Sequence, residues 1–335
     1  MLLKTGGPTA SVRSIRFSPD NQYLYAAGID KQVHVWKLYD ANNKLTPRKT
    51  QSYYWTLNRA ERGCIYTMDV SRTGSIAFGG YSAYGNSGDI LEFDGANRRL
   101  TGVLPRKRSN DLTVPRTGHR TSVIEIAYSP NGESLVSMSR NGETRVWTGQ
   151  GQARTSKMLR PPGERTDRQS VAYLDNTHVA IAERDPASLK GSFWKIVIYD
   201  VRTGMPVAET KSCHAYGVFS IARDPFLPGR WASADVVGRI YVWSGVNAPK
   251  PIAGAQPTVR INPATKIDLF SKAYSQYNAA HARELRFAPK NKLLVSTGFQ
   301  VDGQKSRPAK LLLMDLSTNV PSILDSDQVL SLIHI

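Results

Sequence analysis

The stretch GHRTSVIEIAYSPNGESLVSMSRNGETRVW, residues 118–147, decides the fold. Val123 to Ser129 is β-branched and apolar enough for a buried strand. Pro130 presets φ and Gly132 tolerates positive φ, so a tight turn follows. Ser134 to Ser139 reads as a second strand, ended by Asn141-Gly142, the dipeptide favoured in two-residue hairpins. Glu143 to Trp147 is the third. Three short strands and two tight turns make an antiparallel meander.

The meander recurs along the chain. VRSIRFSPD at 12–20 leads to VHVW ending at Trp36, and IYTMDVSRTG at 65–74 leads to ILEFD ending at Asp94. QSVAYLDN at 169–176 leads to IVIYD ending at Asp200. VFSIARDPF at 218–226 leads to IYVW ending at Trp243, and ARELRFAPKN at 282–291 to LLLMD ending at Asp315. The interval from turn proline to closing tryptophan barely changes between Pro19 and Trp36, Pro130 and Trp147, and Pro225 and Trp243. Such regularity marks a repeat architecture.

On these residues the chain resembles the WD-repeat β-propellers, whose repeats of about 40–45 residues supply four strands with Gly-His and Trp-Asp signatures. Gly118-His119 matches the Gly-His, and Trp36, Trp147 and Trp243 match the tryptophan. Asp94, Asp200 and Asp315 resemble the Asp of the second dipeptide. The resemblance implies an all-β propeller of four-stranded antiparallel blades. Six are recognisable, near 12–57, 65–104, 123–160, 168–211, 218–253 and 282–324, within one domain over 1–329. Candidate outer strands are 44–57, 98–104, 157–160, 207–211, 250–253 and 320–324. No copy shows the family's full Asp–His–Ser–Trp set. The first has Asp30 and Trp36 without a histidine. The third has His119, Ser137 and Trp147 with Asn141 at the turn, and the fifth has His214, Ser233 and Trp243 with Val237 there.

Leu2 to Lys4 is left over as an outer strand without inner partners, which points to seven blades in the intact protein and a truncated fragment here. Leu330 to Ile335, LSLIHI, can be read as a translated transposase end sequence, CTG TCT CTT ATA CAC ATC. On that reading 330–335 is a sequencing-adapter scar, excluded from fold reasoning. The alternative to seven blades is a six-blade ring in which Leu2 to Lys4 is a tail, and the alternative to a scar is an apolar strand beginning the next blade.

Composition narrows the function. The 335 residues carry a formal charge of +17, from 44 Lys and Arg against 27 Asp and Glu. No apolar run of about eighteen residues implies a membrane span. MLLKTGGPT lacks the apolar stretch of a secretory signal. Two cysteines, Cys64 and Cys213, exclude a disulfide scaffold and suit a reducing, cytoplasmic setting. No phosphate loop, dinucleotide fingerprint or serine elbow appears. The innermost strands offer Asp69, Glu125, Asp224 and Glu284, with no histidine and no repeated polar position. His119 and His214 fall where the family uses them structurally, so neither a metal nor another cofactor is expected.

Two features remain for binding. The second-to-third-strand connections are short in blades one, three and five, and long in two, four and six: YSAYGNSG at 81–88, ERDPASLKGSFW at 183–194 and FQVDGQKSRPAK at 299–310. Tyr81, Tyr84, Phe193 and Trp194 are candidate anchors there. Ile267, Phe270, Ala273, Tyr274 and Tyr277 recur at helical spacing, as for an amphipathic rim helix. The second feature is charge. Arg98, Arg99, Arg106, Lys107, Arg108, Arg116 and Arg120 face only Asp111 over 98–120. Arg154, Lys157, Arg160, Arg165 and Arg168 face Glu164 and Asp167 over 154–168. Both runs lead into loops before the next blade and so converge on one basic sector. These features, with the resemblance, suggest a non-catalytic protein-interaction scaffold whose partner is an acidic protein segment, with nucleic-acid backbone second. A competing possibility is a recognition propeller within a longer enzyme, a protease or kinase, as in large bacterial WD-repeat proteins.

Overall fold

The computed structural model describes residues 7–54, 63–81, 88–104, 118–163, 170–185, 193–210, 214–236, 238–245, 259–261, 263–268, 282–297, 300–302, 305–307, 311–318 and 320–323. The chain divides into two compact units, 1–167 and 168–335. The fold is all-β: six four-stranded antiparallel blades of a β-propeller, three in each unit. Leu2 to Lys4 and residues 324–335 lie outside the described residues.

In the first unit, blade one comprises β1 (Val12–Phe17), β2 (Tyr23–Gly28), β3 (Gln32–Tyr39) and β4 (Leu45–Tyr54). Blade two comprises β5 (Ile65–Val70), β6 (Ser75–Gly80), β7 (Ile90–Asp94) and β8 (Arg99–Leu104). Blade three comprises β9 (Val123–Tyr128), β10 (Ser134–Ser139), β11 (Thr144–Thr148) and β12 (Thr155–Arg160). Gly132 sits at φ 78°, the conformation its turn demands. Strands β6 and β10 are buried on both faces because each blade packs against a neighbour. Leu135, Trp147, Val123 and Ile126 of blade three pack on Ala77, Ile90 and Leu104 of blade two.

In the second unit, blade four comprises β13 (Val171–Tyr173), β14 (His178–Arg184), β15 (Trp194–Asp200) and β16 (Pro206–Thr210). Blade five begins with β17 (Val218–Arg223), β18 (Arg230–Asp235) and β19 (Arg239–Ser244). The chain then places β20 (Val259–Ile261) as a parallel fifth strand on β16, and returns as β21 (Pro263–Asp268) against β19. The strand paired outside β19 is therefore 263–268, whereas the expected 250–253 lies outside the described residues. PATKID matches the six residues of β19 in length, with Pro263 at its first position, where a missing ladder donor is tolerated. Ile267 belongs to this strand and not to a helix; Phe270, Ala273, Tyr274 and Tyr277 lie outside the described residues.

Blade six comprises β22 (Ala282–Ala288) and β23 (Lys292–Thr297), interrupted by a hairpin of β24 (Gln300–Asp302) and β25 (Lys305–Arg307). Strands β26 (Leu311–Asp315) and β27 (Val320–Ile323) complete it. The stretch at 299–310, expected as a loop, thus contains a two-stranded ribbon. Leu293, Val295, Leu312 and Met314 pack on Ala232, Ile240 and Val242 of blade five. Leu294, Leu311 and Leu313 are only half-buried, so blade six is fully covered on one face alone.

Two devices recur on the innermost strands. Each of β1, β5, β9, β17 and β22 carries a bulge at one place, so that Arg13, Tyr66, Ile124, Phe219 and Arg283 are the extra residues. The residue after the bulge, or in blade four Ser170 just before β13, ties one blade to the next. Ser14 Oγ donates to the Met68 carbonyl at 3.1 Å. Thr67 accepts from the Ile126 N–H at 3.1 Å. Ser170 accepts from the Ile221 N–H at 3.1 Å, and Ser220 from the Leu285 N–H at 3.0 Å. The innermost strands therefore do share a polar position, contrary to expectation. It was hidden because Glu125 and Glu284 hold it in blades three and six.

Candidate partner-binding site

Strand direction alternates within a blade, so the second-to-third-strand loops and the loops entering the next blade lie at one end, called the loop end. Buried polar clusters fix that end. In blade three His119 Nε2 meets Ser137 Oγ at 2.6 Å, and Trp147 Nε1 donates to the same oxygen at 2.7 Å. The acid is Glu143, 3.7 Å from His119 Nδ1 and bonded to Arg145 Nε at 2.6 Å. Burial lowers the His119 pKa, against the pull of Glu143. Burial also opposes the Glu143 carboxylate, but contacts with His119 and Arg145 outweigh it and hold the carboxyl at about 2.

Blade five contains the full set that its sequence did not reveal. His214 contacts Ser233 Oγ at 2.8 Å and Asp235 Oδ2 at 3.3 Å, and Trp243 Nε1 donates to Ser233 at 2.9 Å. Asp235 lies two residues before the position where an acid was sought. Burial again lowers the histidine pKa. Blade one, expected to lack a histidine, takes one from within β3: His34 Nε2 meets Asp30 Oδ2 at 2.7 Å, a partner overlooked when a histidine is sought only before the first strand. It stands opposite Ala26, which replaces the serine, so Trp36 is buried without the serine relay of the other two blades.

Blades two, four and six close with aspartates that organise the opposite end. Asp94 accepts from the Asn97 and Ala96 N–H groups, which lower its pKa. Burial raises the Asp200 pKa, but the Thr203 and Arg202 N–H groups and the Arg202 guanidinium outweigh it. Asp315 accepts from the Ser317 N–H, with the same lowering.

The basic runs do not form one patch in their entirety. Arg98 and Arg99 stand at the start of β8, about 17 Å of strand from its other end. Arg98 donates to Gln51 on β4 instead. Arg154 is buried, bonded through Nε and Nη2 to Glu92 at 2.9 and 2.8 Å. Charge counting along the sequence could not see that burial. Arg120 is exposed at the loop end, and half-buried Arg160 donates to the Gly142 carbonyl at 3.5 Å. Arg106, Lys107, Arg108, Arg116, Arg165 and Arg168 lie outside the described residues.

Among the aromatic candidates, Tyr81 is half-buried beside a backbone pair with Gly63 and Cys64. Tyr84 lies outside the described residues. Trp194 is not a surface anchor: it is 8% exposed, packed with Val218, Trp231 and Trp243 between blades four and five. Phe193, its neighbour, is 42% exposed. Tyr216, which sequence reading missed, is 48% exposed near the same end. The channel carboxylates serve structure: Asp69 accepts from Arg16 Nε and the Tyr128 N–H, while Asp224 holds Arg230 and its own turn. Glu284 pairs with Arg286, and Glu125 is half-buried. Among the described residues no group of His, Cys, Asp and Glu could hold a metal ion, and no helix is long and apolar enough to cross a membrane.

Four-stranded antiparallel blades with buried His–Ser–Trp relays define a repeat protein of the propeller class. Residues 2–37 and 112–148 match the family described as "WD domain, G-beta repeat". These stretches run to Trp36 in blade one and past Trp147 in blade three. These matches support a WD-repeat family for the chain. It is also 28% identical over 159 residues to "Transcription initiation factor TFIID subunit 5" of Caenorhabditis elegans. The match covers 42% of this chain and spans about a quarter of that protein, 24% of its length.

Proposed function

We propose that the chain is a non-catalytic scaffold that binds a protein partner in the cytoplasm, receiving an acidic segment at the loop ends of its blades. The observation that carries this reading is Phe193, left in water beside the fully packed Trp194. Aromatic side chains within reach of a partner are enriched among the residues that carry binding energy. The use made of the reactive side chains supports it. All four described histidines, His34, His119, His178 and His214, are bonded to Asp or Ser within blades or turns. The similar TFIID protein is by its name a subunit of a larger assembly, in keeping with a protein that acts by holding others. Arg106, Lys107 and Arg108, which lie between blades two and three in the sequence, are proposed as a separate source of positive charge.

Charge reversal of those three residues to Glu tests the reading against fluorescently labelled polyglutamate. Binding should weaken steeply at low salt and little at high salt, since exposed charges are screened. Binding indifferent to both the reversal and the salt would move the partner site away from the basic run.

A further inference from the structure

The turns from first to second strand lie at the end of each blade opposite the loop end. Five of them are polar at the tip: Asp20-Asn21, Thr73-Gly74, Asn131-Gly132, Asn176-Thr177 and Lys290-Asn291. Blade five differs, since between β17 and β18 the chain runs Pro225-Phe226-Leu227-Pro228-Gly229. Phe226 is 55% and Leu227 50% exposed, the only sequence neighbours among the large exposed hydrophobic residues described. The turn is also long. The bond from the Asp224 N–H to the Arg230 carbonyl encloses five residues, against four for Ser18–Tyr23 and Ser129–Ser134 and three for Ser71–Ser75 and Leu174–His178. The pair is held in place. Asp224 Oδ1 accepts from the Phe226 and Leu227 N–H groups at 2.8 and 3.2 Å, and the Arg230 N–H donates to the Leu227 carbonyl at 3.2 Å. Pro225 and Pro228 fix φ, and Gly229 turns the chain at φ 79°. Arg230 Nε donates to Asp224 Oδ2 at 2.6 Å, and its Nη1 donates to Asn291 on the adjoining turn of blade six. Single exposed apolar residues are ordinary, but two together on a braced turn, where the other blades are polar, call for a contact outside the chain.

We propose that this turn seats the protein on a bilayer surface containing anionic lipid, with Phe226 and Leu227 entering the boundary between headgroups and acyl chains. Charge at this end of blades four to six fits lipid phosphates and carboxylates. The Asp200 and Asp224 side chains are only 3% and 0% exposed and are paired with Arg202 and Arg230. Asp175 is bonded to His178, and Asp315 lies 3.9 Å from Lys292. The Arg202 guanidinium, 74% exposed, and the exposed Lys290 face water. The whole chain, at +17, is drawn to a negative surface from a distance. Two half-exposed side chains insert less hydrocarbon than one myristoyl chain, which by itself binds marginally, so attachment needs the apolar pair and the charge together. Other occupants fit less well. The exposed halves of two such side chains amount to on the order of 200 Å², far below the ~800 Å² per partner of a stable interface, so they cannot hold a second copy back to back. Nucleic acid would meet the cations and leave Leu227 in water. Attachment here keeps the loop end free for the partner proposed above, and the two proposals stand on separate residues.

Cosedimentation tests this with the whole chain and vesicles of phosphatidylcholine alone or with an equal part of phosphatidylserine. The mixed vesicles should bind it about tenfold or more tightly, as two cations near a negative surface imply. Phe226→Ser with Leu227→Ser should weaken that binding about tenfold while the melting temperature holds. Phe226→Trp keeps an aromatic ring and serves if the serine variant melts early; its added fluorescence should be quenched by bromines on the acyl chains of the mixed vesicles. Equal binding of the parent and a folded serine variant, or an unquenched Phe226→Trp, means adsorption by charge alone and overturns the proposal. Equal binding to both kinds of vesicle overturns it as well, since charge then plays no part. Binding to neither overturns the bilayer and leaves the turn to a cleft on another protein. Polyglutamate binding, which reads the basic run, should be unchanged by these substitutions, so either proposal can fail without the other.

Discussion

Glu92 of blade two grips Arg154 of blade three through two parallel hydrogen bonds, with both side chains only 2% exposed. Tyr128 Oη donates to Glu92 Oε1 at 2.8 Å, and Arg154 Nη1 reaches the Glu133 and Trp147 carbonyls. Removing one partner strands a charge out of water. Arg154→Met should therefore cost about 3–5 kcal/mol, while Glu92→Leu combined with Arg154→Met should cost less than Arg154→Met alone. Urea unfolding of the two variants gives the comparison; a double variant less stable than the single would mean the pair is strongly net stabilising.

Trp147 fills the seam between blades two and three and is 1% exposed. Trp147→Ala should cost about 3–5 kcal/mol, as large aromatic deletions in cores do. His119→Ala, which removes one hydrogen bond to Ser137, should cost about 1–3 kcal/mol. A Trp147→Ala protein that melts like the parent would contradict the packing.

The Ser220 hydroxyl holds the Leu285 N–H across the seam between blades five and six. Ser220→Ala should leave that buried donor without its partner, at about 1–3 kcal/mol. Hydrogen exchange at the Leu285 amide should quicken with it. An unchanged amide would show that the hydroxyl is dispensable.

Stability should depend on pH in two windows. His119 and His214 have folded pKa values below the ordinary 6.5, so the unfolded chain takes up protons first as pH falls. Their contribution is full above about 6.5 and is lost as pH drops toward their folded values. Glu143, held at about 2 against an ordinary 4.5, adds stability above 4.5 that is lost between there and 2. His119→Gln combined with His214→Gln should lower stability at pH 8 but flatten the decline from pH 8 to 5.5. A slope unchanged by the double variant would assign the upper window to other groups.

Much of the fold was legible because its signals are local. Asn141-Gly142, the turn prolines and the closing tryptophans each fix a few neighbouring residues, and the third-blade strands fall where those residues put them. The detour through β20 was not legible, since a parallel pairing formed after a long connection leaves no local mark. Similar reasons govern the site. Asp235 and Glu143 were missed because acids were sought only at the turn, although the relay needs an acid near the histidine and not at one numbered place. Arg154 was misjudged because charge along a sequence carries no information on burial. Phe193 was legible as an aromatic at the end of a long loop. Tyr216 was not, since its place near Phe193 follows from a bridge that only the pairing register reveals.

The excursion of β20 has a topological consequence. Its three residues, Val259–Ile261, bind the rim of blade four before the chain turns back to finish blade five. The final strand of one blade can thus be withdrawn only by unpicking the margin of another. Blades four and five are sutured by a thread of their own backbone, and under a pulling force on β21 they should yield as one event, not as two.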